Sequence, residues 1–229
     1  MTTTAPDLLS LEPDPLEPTP AEVERYIDAL QGHDDPGLAR SRAWNQIRLA
    51  GVRARTRRAE ALRSLDLIFR RGTPPDPPLD GDTRGAIVTP VLLAPAQAVA
   101  RTAGEAWMPW LGKTFHAGEQ TGVNVVTGDA RLPFKALWPS YEPEQLGDGR
   151  LAVMTFDTRV GPGTLDTDRQ VLKIDYDHDG NPKLAIRNIL DELVQVVPGA
   201  YLGKMLMRTK RGAPFRLTAY FALEQPGLE

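Results

Sequence analysis

The chain has 229 residues, a formal net charge of -3 at pH 7 and no cysteine. This length is enough to bury a substantial core, most simply in one main domain with an appendage. The absence of cysteine excludes disulfide bonds and thiol catalysis, and the small negative charge makes general nucleic-acid binding an unfavoured function. No apolar run approaches the length of a membrane span, and residues 1–20 do not resemble a signal peptide, so we expect a soluble cytoplasmic protein.

The N-terminal third is predicted to be a tail followed by helices. Residues 1–20 contain five prolines and little that packs, which is typical of a disordered acidic tail. Thr19 followed by Pro20 indicates a helix start, and helical periodicity continues to Arg71. We therefore predict a helical extension over residues 21–72.

Charge is unevenly distributed within this region. Residues 1–38 hold nine acids and one base, whereas residues 39–71 hold ten arginines and two acids. One interpretation is an interaction protein whose Arg-rich helices bind phosphate groups or another anionic partner. The other is a solvated helical face that the acidic tail neutralises, and this is favoured because no aromatic or glycine pattern accompanies the arginines.

The remainder of the chain is predicted to be mainly β. A Pro-rich linker over residues 73–82 precedes a domain over residues 83–224, in which we count eight strand-like runs and two helices. The strands are predicted at residues 85–93, 112–117, 122–127, 133–139, 150–160, 169–176, 200–208 and 214–223, and the helices at residues 95–107 and 184–194. Many strands joined by short polar turns favour an eight-stranded antiparallel barrel with an N-terminal α-helical extension, because closure removes exposed edges.

The order of strand, short helix and strand meander is similar to that of the calycin superfamily, which comprises the lipocalin-like and fatty-acid-binding-like β-barrels. The resemblance covers roughly residues 79–224 and includes WLGKTF at Trp110–Phe115 and YLGKMLM at Tyr201–Met207. It implies a barrel that encloses a cup for an apolar ligand, and it assigns no role to any single residue.

The lining of this cup follows from placing lysines toward solvent. Lys113 outside would turn His116 inward, and Lys135 outside would turn Phe134 and Trp138 inward. The inferred ligand-binding residues on the strands are His116, Phe134, Trp138, Tyr176, Tyr201, Met205, Met207 and Phe221. Aromatic and methionine side chains with a few polar tips suit a small-molecule pocket, but they also suit a filled core, and both interpretations remain open.

Trp107 and Trp110 flank Pro109 after the helix predicted at residues 95–107. They would either plug the barrel or form a lid over a ligand. Plugging is the simpler interpretation, because buried aromatic area stabilises a fold with or without a ligand.

His116 is the histidine placed on the predicted inner face. It would hydrogen-bond a ligand, act as a general base or bind haem iron, or else it is an ordinary core residue. The sequence identifies no cofactor. Asp175, Asp177 and Asp179 match the start of a calcium loop, but Ile186 stands where a bidentate Glu is needed, so an acidic turn is predicted and no metal site.

Three functions follow from these observations. The leading hypothesis is binding of a hydrophobic or amphipathic small molecule inside the barrel. The second is an isomerase or cyclase that uses His116 with Tyr176 or Tyr201 for proton transfer in the same cavity. The third is the interaction protein that acts through the Arg-rich helices. The oligomeric state is not specified by any sequence feature.

Overall fold

The computed structural model describes residues 7–91, 110–183 and 185–226, and every structural statement below refers to these residues. The helices are α1 (Leu8–Leu11), α2 (Pro20–Gln31), α3 (Pro36–Arg53), α4 (Arg58–Arg71) and α5 (Arg131–Leu137). The strands are β1 (Gly81–Asp82), β2 (Arg84–Pro90), β3 (Trp110–His116), β4 (Thr121–Thr127), β5 (Glu144–Gln145), β6 (Arg150–Pro162), β7 (Gln170–Asp175), β8 (Ile189–Val197), β9 (Ala200–Met207) and β10 (Arg216–Glu224).

Local capping sets the starts of two helices. The Thr19 side chain accepts a hydrogen bond from the Glu22 backbone, and the Glu22 carboxylate accepts one from the Thr19 backbone. This reciprocal pair satisfies amide groups that the first turn leaves without partners. Asp35 caps α3 in a similar way through Leu38, and a proline follows each cap residue.

The strands form one antiparallel, nearly closed barrel. Their order is β1-β3-β4-β6-β7-β8-β9-β10-β2, with β5 paired to β6 off this path. Because β1 and β2 are consecutive in the chain and lie at opposite ends of the order, the segment that contains them closes the sheet. At the junction between them, the Thr83 amide donates to the Lys113 carbonyl at 2.8 Å.

The strand count differs slightly from the prediction of eight. Nine strands lie on the continuous path, since the closing segment is divided at Thr83 into two strands with different neighbours. The strand predicted at residues 133–139 is wrong, because this segment forms α5 and contributes Phe134 to the core from a helix. The helix predicted at residues 95–107 lies outside the described residues.

The helix predicted at residues 184–194 is also wrong. The chain makes a single 3-10 turn at Ile186–Asn188 and then β8. Every side chain from Leu190 to Val194 is buried, so this strand has apolar residues on both faces, and its pattern cannot be distinguished from a buried helix by periodicity. Arg187 pairs with Asp179, and Asp191 pairs with Lys113 across the barrel interior.

Helices α2, α3 and α4 cover the outer face of the barrel. Val194, Leu202 and Tyr220 point outward from three neighbouring strands into a core that they share with these helices. The opposite faces of the same strands carry Leu193, Tyr201 and Phe221 into the barrel interior. Both faces of β8, β9 and β10 are therefore buried.

The N-terminal acids lie against the Arg-rich helices. Leu8 in α1 is buried, although residues 1–20 were expected to be a disordered tail. Arg42 pairs with Glu12 at 3.3 Å, and Arg57 pairs with Glu17. These contacts favour the interpretation in which the acidic segment neutralises the arginines. No helix in the described ranges is both long and apolar enough to cross a membrane.

Barrel closure depends on Gly112. Its φ is +151°, and an added Cβ would lie 1.9 Å from the Thr83 carbonyl oxygen. We expect Gly112→Ala to lower the free energy of unfolding by about 1–3 kcal/mol, because the β1–β2 junction must move away from β3. Urea unfolding followed by circular dichroism measures this change.

Gly118→Ala is the matched control, because an added Cβ there meets no atom within 4 Å. It is expected to change the free energy of unfolding by less than about 0.5 kcal/mol. Equal stability of the two variants would show that the close approach at Gly112 is not needed for closure.

Candidate functional site

Lys113 lies inside the barrel. It is 2% exposed, and the alternation of β3 places it on the same face as Phe115, which belongs to the interior core. His116 is consequently on the outer face and is exposed. The prediction that His116 points inward was wrong, because it assumed that Lys113 faces solvent.

A polar cluster of four residues surrounds the Lys113 ammonium. Its Nζ donates to Asn124 Oδ1 at 2.9 Å and to Asp191 Oδ2 at 3.0 Å, and it contacts the Tyr176 hydroxyl. Tyr176 OH donates to Asp191 Oδ2 at 3.1 Å and accepts from Asn124 Nδ2 at 3.0 Å. The polar cluster of Lys113, Asn124, Tyr176 and Asp191 thus joins β3, β4, the end of β7 and β8.

Aromatic rings enclose the same ammonium. The distance from Lys113 Nζ to the ring centroid is 5.6 Å for Trp110, 5.1 Å for Phe156, 5.0 Å for Tyr176 and 5.3 Å for Phe221. Distances below about 6 Å permit cation–π attraction, which is strongest when the cation is desolvated. We call these four rings the aromatic box.

Burial shifts the protonation equilibria of the cluster. Desolvation lowers the pKa of Lys113 and raises the pKa of Asp191, and in each case the partner's charge opposes the shift. Desolvation and the Asp191 carboxylate raise the pKa of Tyr176 well above its usual value. Desolvation therefore acts against both charged forms and favours the neutral amine and the neutral acid, whereas the attraction between the two charges favours the ion pair.

One oxygen of the cluster has no hydrogen-bond partner. Asp191 Oδ1 is buried and accepts no hydrogen bond from any described residue. Buried polar atoms are almost always partnered, and leaving one unpaired is costly. This oxygen is therefore a favourable acceptor for a donor group that enters the interior.

A β-bulge in β6 connects the cluster to one end of the barrel. Met154 has a φ of +53°, and its amide donates to the Tyr141 hydroxyl at 2.5 Å. Its carbonyl accepts a hydrogen bond from Asn124 Nδ2 at 3.4 Å. Bulges and strained backbone are common beside functional sites, where they redirect side chains.

The structure places most of the predicted lining residues in or beside the interior. Phe134, Tyr176, Tyr201 and Phe221 are buried in the interior core, and Trp110, Trp138 and Met205 pack against it with partial exposure. Met207 is half-buried at the end of β9, His116 is exposed on the outside, and Trp107 lies outside the described residues.

Sequence reasoning missed Lys113, Asn124 and Asp191. A signal was nevertheless present, since Lys113 lies within a strongly apolar strand and Asp191 interrupts an apolar run. Ionic residues of opposite charge in two such strands are candidates for a buried pair, because neither is stable there alone.

The acidic turn is neutralised by arginines. Asp175 pairs with Arg159, Asp177 with Arg208 and Asp179 with Arg187, at 3.0, 3.3 and 3.0 Å. No cluster of three or more metal-ligating side chains occurs in the described part of the chain.

Comparison with known proteins gives a distant structural likeness and no family. No protein-family model matches the chain, and no curated protein matches it significantly. One similar solved structure is that of a protein from Thermomonospora curvata, which is 16% identical. The match covers 78% of this chain and 99% of that chain, with a TM-score of 0.43.

Removing one partner of the Lys113–Asp191 pair leaves an uncompensated buried charge. We expect Lys113→Met to lower the free energy of unfolding by about 3–5 kcal/mol. The double variant Lys113→Met/Asp191→Leu removes both charges, so it is expected to be more stable than the single variant. Urea unfolding of both variants measures the difference. A double variant no more stable than Lys113→Met would contradict energetic coupling between the two residues.

Titration of the tyrosine hydroxyls with rising pH tests whether these side chains are buried. The pKa of all five is raised above 10.0, to about 12 for Tyr201, and desolvation is the main cause. The unfolded chain releases these protons near pH 10, whereas the folded protein retains them. The free energy of unfolding should therefore fall as the pH rises above 10. Tyrosinate absorbance should appear at higher pH in the native protein than in urea, and coincident titrations would contradict the burial.

Proposed function

We propose that the barrel binds a small amphipathic molecule, with its polar head at the polar cluster and its apolar body among aromatic and methionine side chains. The observation that carries the proposal is the unpartnered Asp191 Oδ1 inside an aromatic-lined barrel. Interiors of this kind, apolar with a few convergent polar groups, are typical of small-molecule sites.

The head group is defined by the chemistry of the cluster. The Lys113 ammonium attracts an anionic or carbonyl oxygen, and Asp191 Oδ1 accepts a hydrogen bond from a hydroxyl or amine. Tyr176 can donate or accept. A ligand that carries both an acceptor and a donor at one end satisfies these groups together.

The apolar body is matched by side chains that remain partly exposed. Trp110, Trp138, Tyr141 and Met205 pack against the interior core without complete burial. Trp110 begins β3 opposite Val126, and the segment carrying Trp138 and Tyr141 follows β4, so these three rings lie toward one end of the barrel. Aromatic rings supply apolar area, and methionine adapts its shape to different ligands.

Stability alone does not account for the polar cluster. Desolvating two charges costs several kcal/mol per ion, and apolar replacements of similar volume are often neutral or stabilising. A binding role accounts for a buried Lys–Asp pair in a barrel that already holds a large aromatic core.

The alternatives drawn from sequence have less support. An isomerase or cyclase based on His116, and haem binding through His116, both require this side chain in the interior, whereas it is exposed. An interaction surface built on the Arg-rich helices requires available guanidinium groups. Some of these groups are engaged within the fold, since Arg42 and Arg57 are paired with acids and Arg58 donates to the carbonyls of Pro90 and Val91.

The probe 1-anilinonaphthalene-8-sulfonate has the required apolar body and anionic head. We expect it to bind one molecule per chain, with a blue-shifted emission that saturates. The apolar double variant Lys113→Met/Asp191→Leu is expected to bind it about tenfold more weakly or worse, because a charge-assisted contact of about 1.5–3 kcal/mol is lost. Fluorescence titration measures the affinity.

The matched control is Lys210→Met, which removes one positive charge from an exposed loop. It is expected to leave the affinity unchanged, and near-ultraviolet circular dichroism should show native packing in every variant compared. Binding that is absent from the wild-type protein, or equally strong in the double variant, would overturn a ligand site at the polar cluster.

A further inference from the structure

We infer that Lys113 captures the carbonyl group of an aldehyde or ketone ligand as an imine. The inference rests on the proposed ligand-binding function and names a ligand class for it. Its basis is the geometry of the cluster, in which a primary amine, a phenol and a carboxyl group share one contact region within the aromatic box.

Lys113 is the lysine whose amine lies in the interior. Of the six lysines of the chain, Lys204 is also buried, but it lies on the outer side of β9. Its Nζ contacts Asp66 at 2.7 Å and Asp166 at 2.6 Å beneath α4. Lys135, Lys183 and Lys210 are exposed, and Lys173 pairs with Glu192 on the outer face of the barrel. A carbonyl compound inside the barrel therefore meets one amine.

The reactive form of this amine is accessible through its partner. A lysine amine is nucleophilic when it is neutral, and a desolvated environment favours that form. Transfer of the Lys113 proton to Asp191 across 3.0 Å gives the free amine and places the proton on a carboxyl group beside it. No external base is needed for the first step.

The residues of the polar cluster can supply and accept every proton that imine formation requires. The amine nitrogen attacks the carbonyl carbon, and the C–N bond forms as the carbonyl π pair moves to oxygen. Asp191 returns its proton to that oxygen, and the resulting carboxylate accepts one from nitrogen, directly or through Tyr176. Asp191 then protonates the departing hydroxyl, and loss of water gives the protonated imine beside the Asp191 carboxylate, so that ammonium plus carbonyl compound yields protonated imine plus water.

The remaining groups suit the intermediates. The hydroxyl formed from the carbonyl can donate to Asp191 Oδ1, which has no partner among the described residues. A protonated imine carries the positive charge that Lys113 already places near the rings of the aromatic box and beside Asp191. The positive charge beside Asp191 and the aromatic box is thus the same in the starting ammonium and in the protonated imine.

Reductive trapping tests the inference directly. We would incubate the full chain with cinnamaldehyde and sodium cyanoborohydride, then measure the intact mass and map the modified peptide. The expected result is one adduct per chain, located on Lys113. Saturating 1-anilinonaphthalene-8-sulfonate should reduce labelling of Lys113 at least about tenfold by occupying the same interior.

Lys113→Arg is the matched variant, because it keeps the positive charge beside Asp191 but cannot form an imine. It is expected to lose the stoichiometric adduct, whereas Lys210→Met, which changes an exposed lysine outside the polar cluster, should retain both probe binding and the adduct on Lys113. The wild-type peptide map gives a result even if this variant does not fold.

Two results would overturn the inference, and only one of them would also overturn the proposed binding function. If the probe binds once per chain but adducts occur only on exposed lysines such as Lys135 and Lys210, imine capture fails and the binding function stands. If the probe does not bind and Lys113 is not labelled, both proposals fail.

Discussion

The ion pair between Lys113 and Asp191 is the constraint on which the barrel interior depends. Both residues are at most 3% exposed, so neither charge is stabilised by bulk water. An isolated buried charge costs far more than a domain's net stability permits, and the two groups must therefore stay within contact. Asn124 accepts a hydrogen bond from the ammonium and Tyr176 donates one to the carboxylate, which leaves Asp191 Oδ1 without a partner among the described residues. Because these four residues come from four separate parts of the sheet, satisfying one ammonium also fixes how the strands face one another.

Buried ion pairs also occur on the outer face of the barrel, where they connect the sheet to the helices and to a loop. Asp191 and Glu192 are neighbours on β8, and the strand turns one carboxylate inward and the other outward. Glu192 is fully buried and pairs with Lys173, while Lys204 on β9 joins Asp66 of α4 to Asp166 of the β6–β7 loop. Ionic contacts thus attach the helical layer and this loop to the barrel wall. The helices and the sheet form a single packed unit rather than a scaffold with an independent appendage.

How far the sequence predicts this structure depends on whether a segment has one buried face or two. The capped start of α2 and most strands were predicted because their signals are local: a Thr–Pro cap, or the alternation of Leu172 and Ile174 with Lys173 and Asp175 in β7. Strand β8 was not predicted, because burial of both faces removes the alternation that distinguishes a strand from a helix. α5 has seven residues, too few for helical periodicity to outweigh the apparent alternation of Phe134, Ala136 and Trp138. The site was missed for a related reason: placing lysines outside is a sound rule for single residues, and only a partner 78 positions away makes Lys113 an exception.

Lys113 and Lys204 differ in the number of carboxylates that surround each buried ammonium group. Both ammonium groups are buried and both lie near aromatic rings, but Lys204 is held between two carboxylates, one of which also binds Arg70. Moving a proton within that network would leave other charges unbalanced, so it is suited to holding elements together. Lys113 faces one carboxylate among aromatic rings, and a single proton transfer neutralises the whole pair. An isolated pair of this kind contributes little to stability, yet it holds a proton between two groups whose pKa values burial shifts in opposite directions.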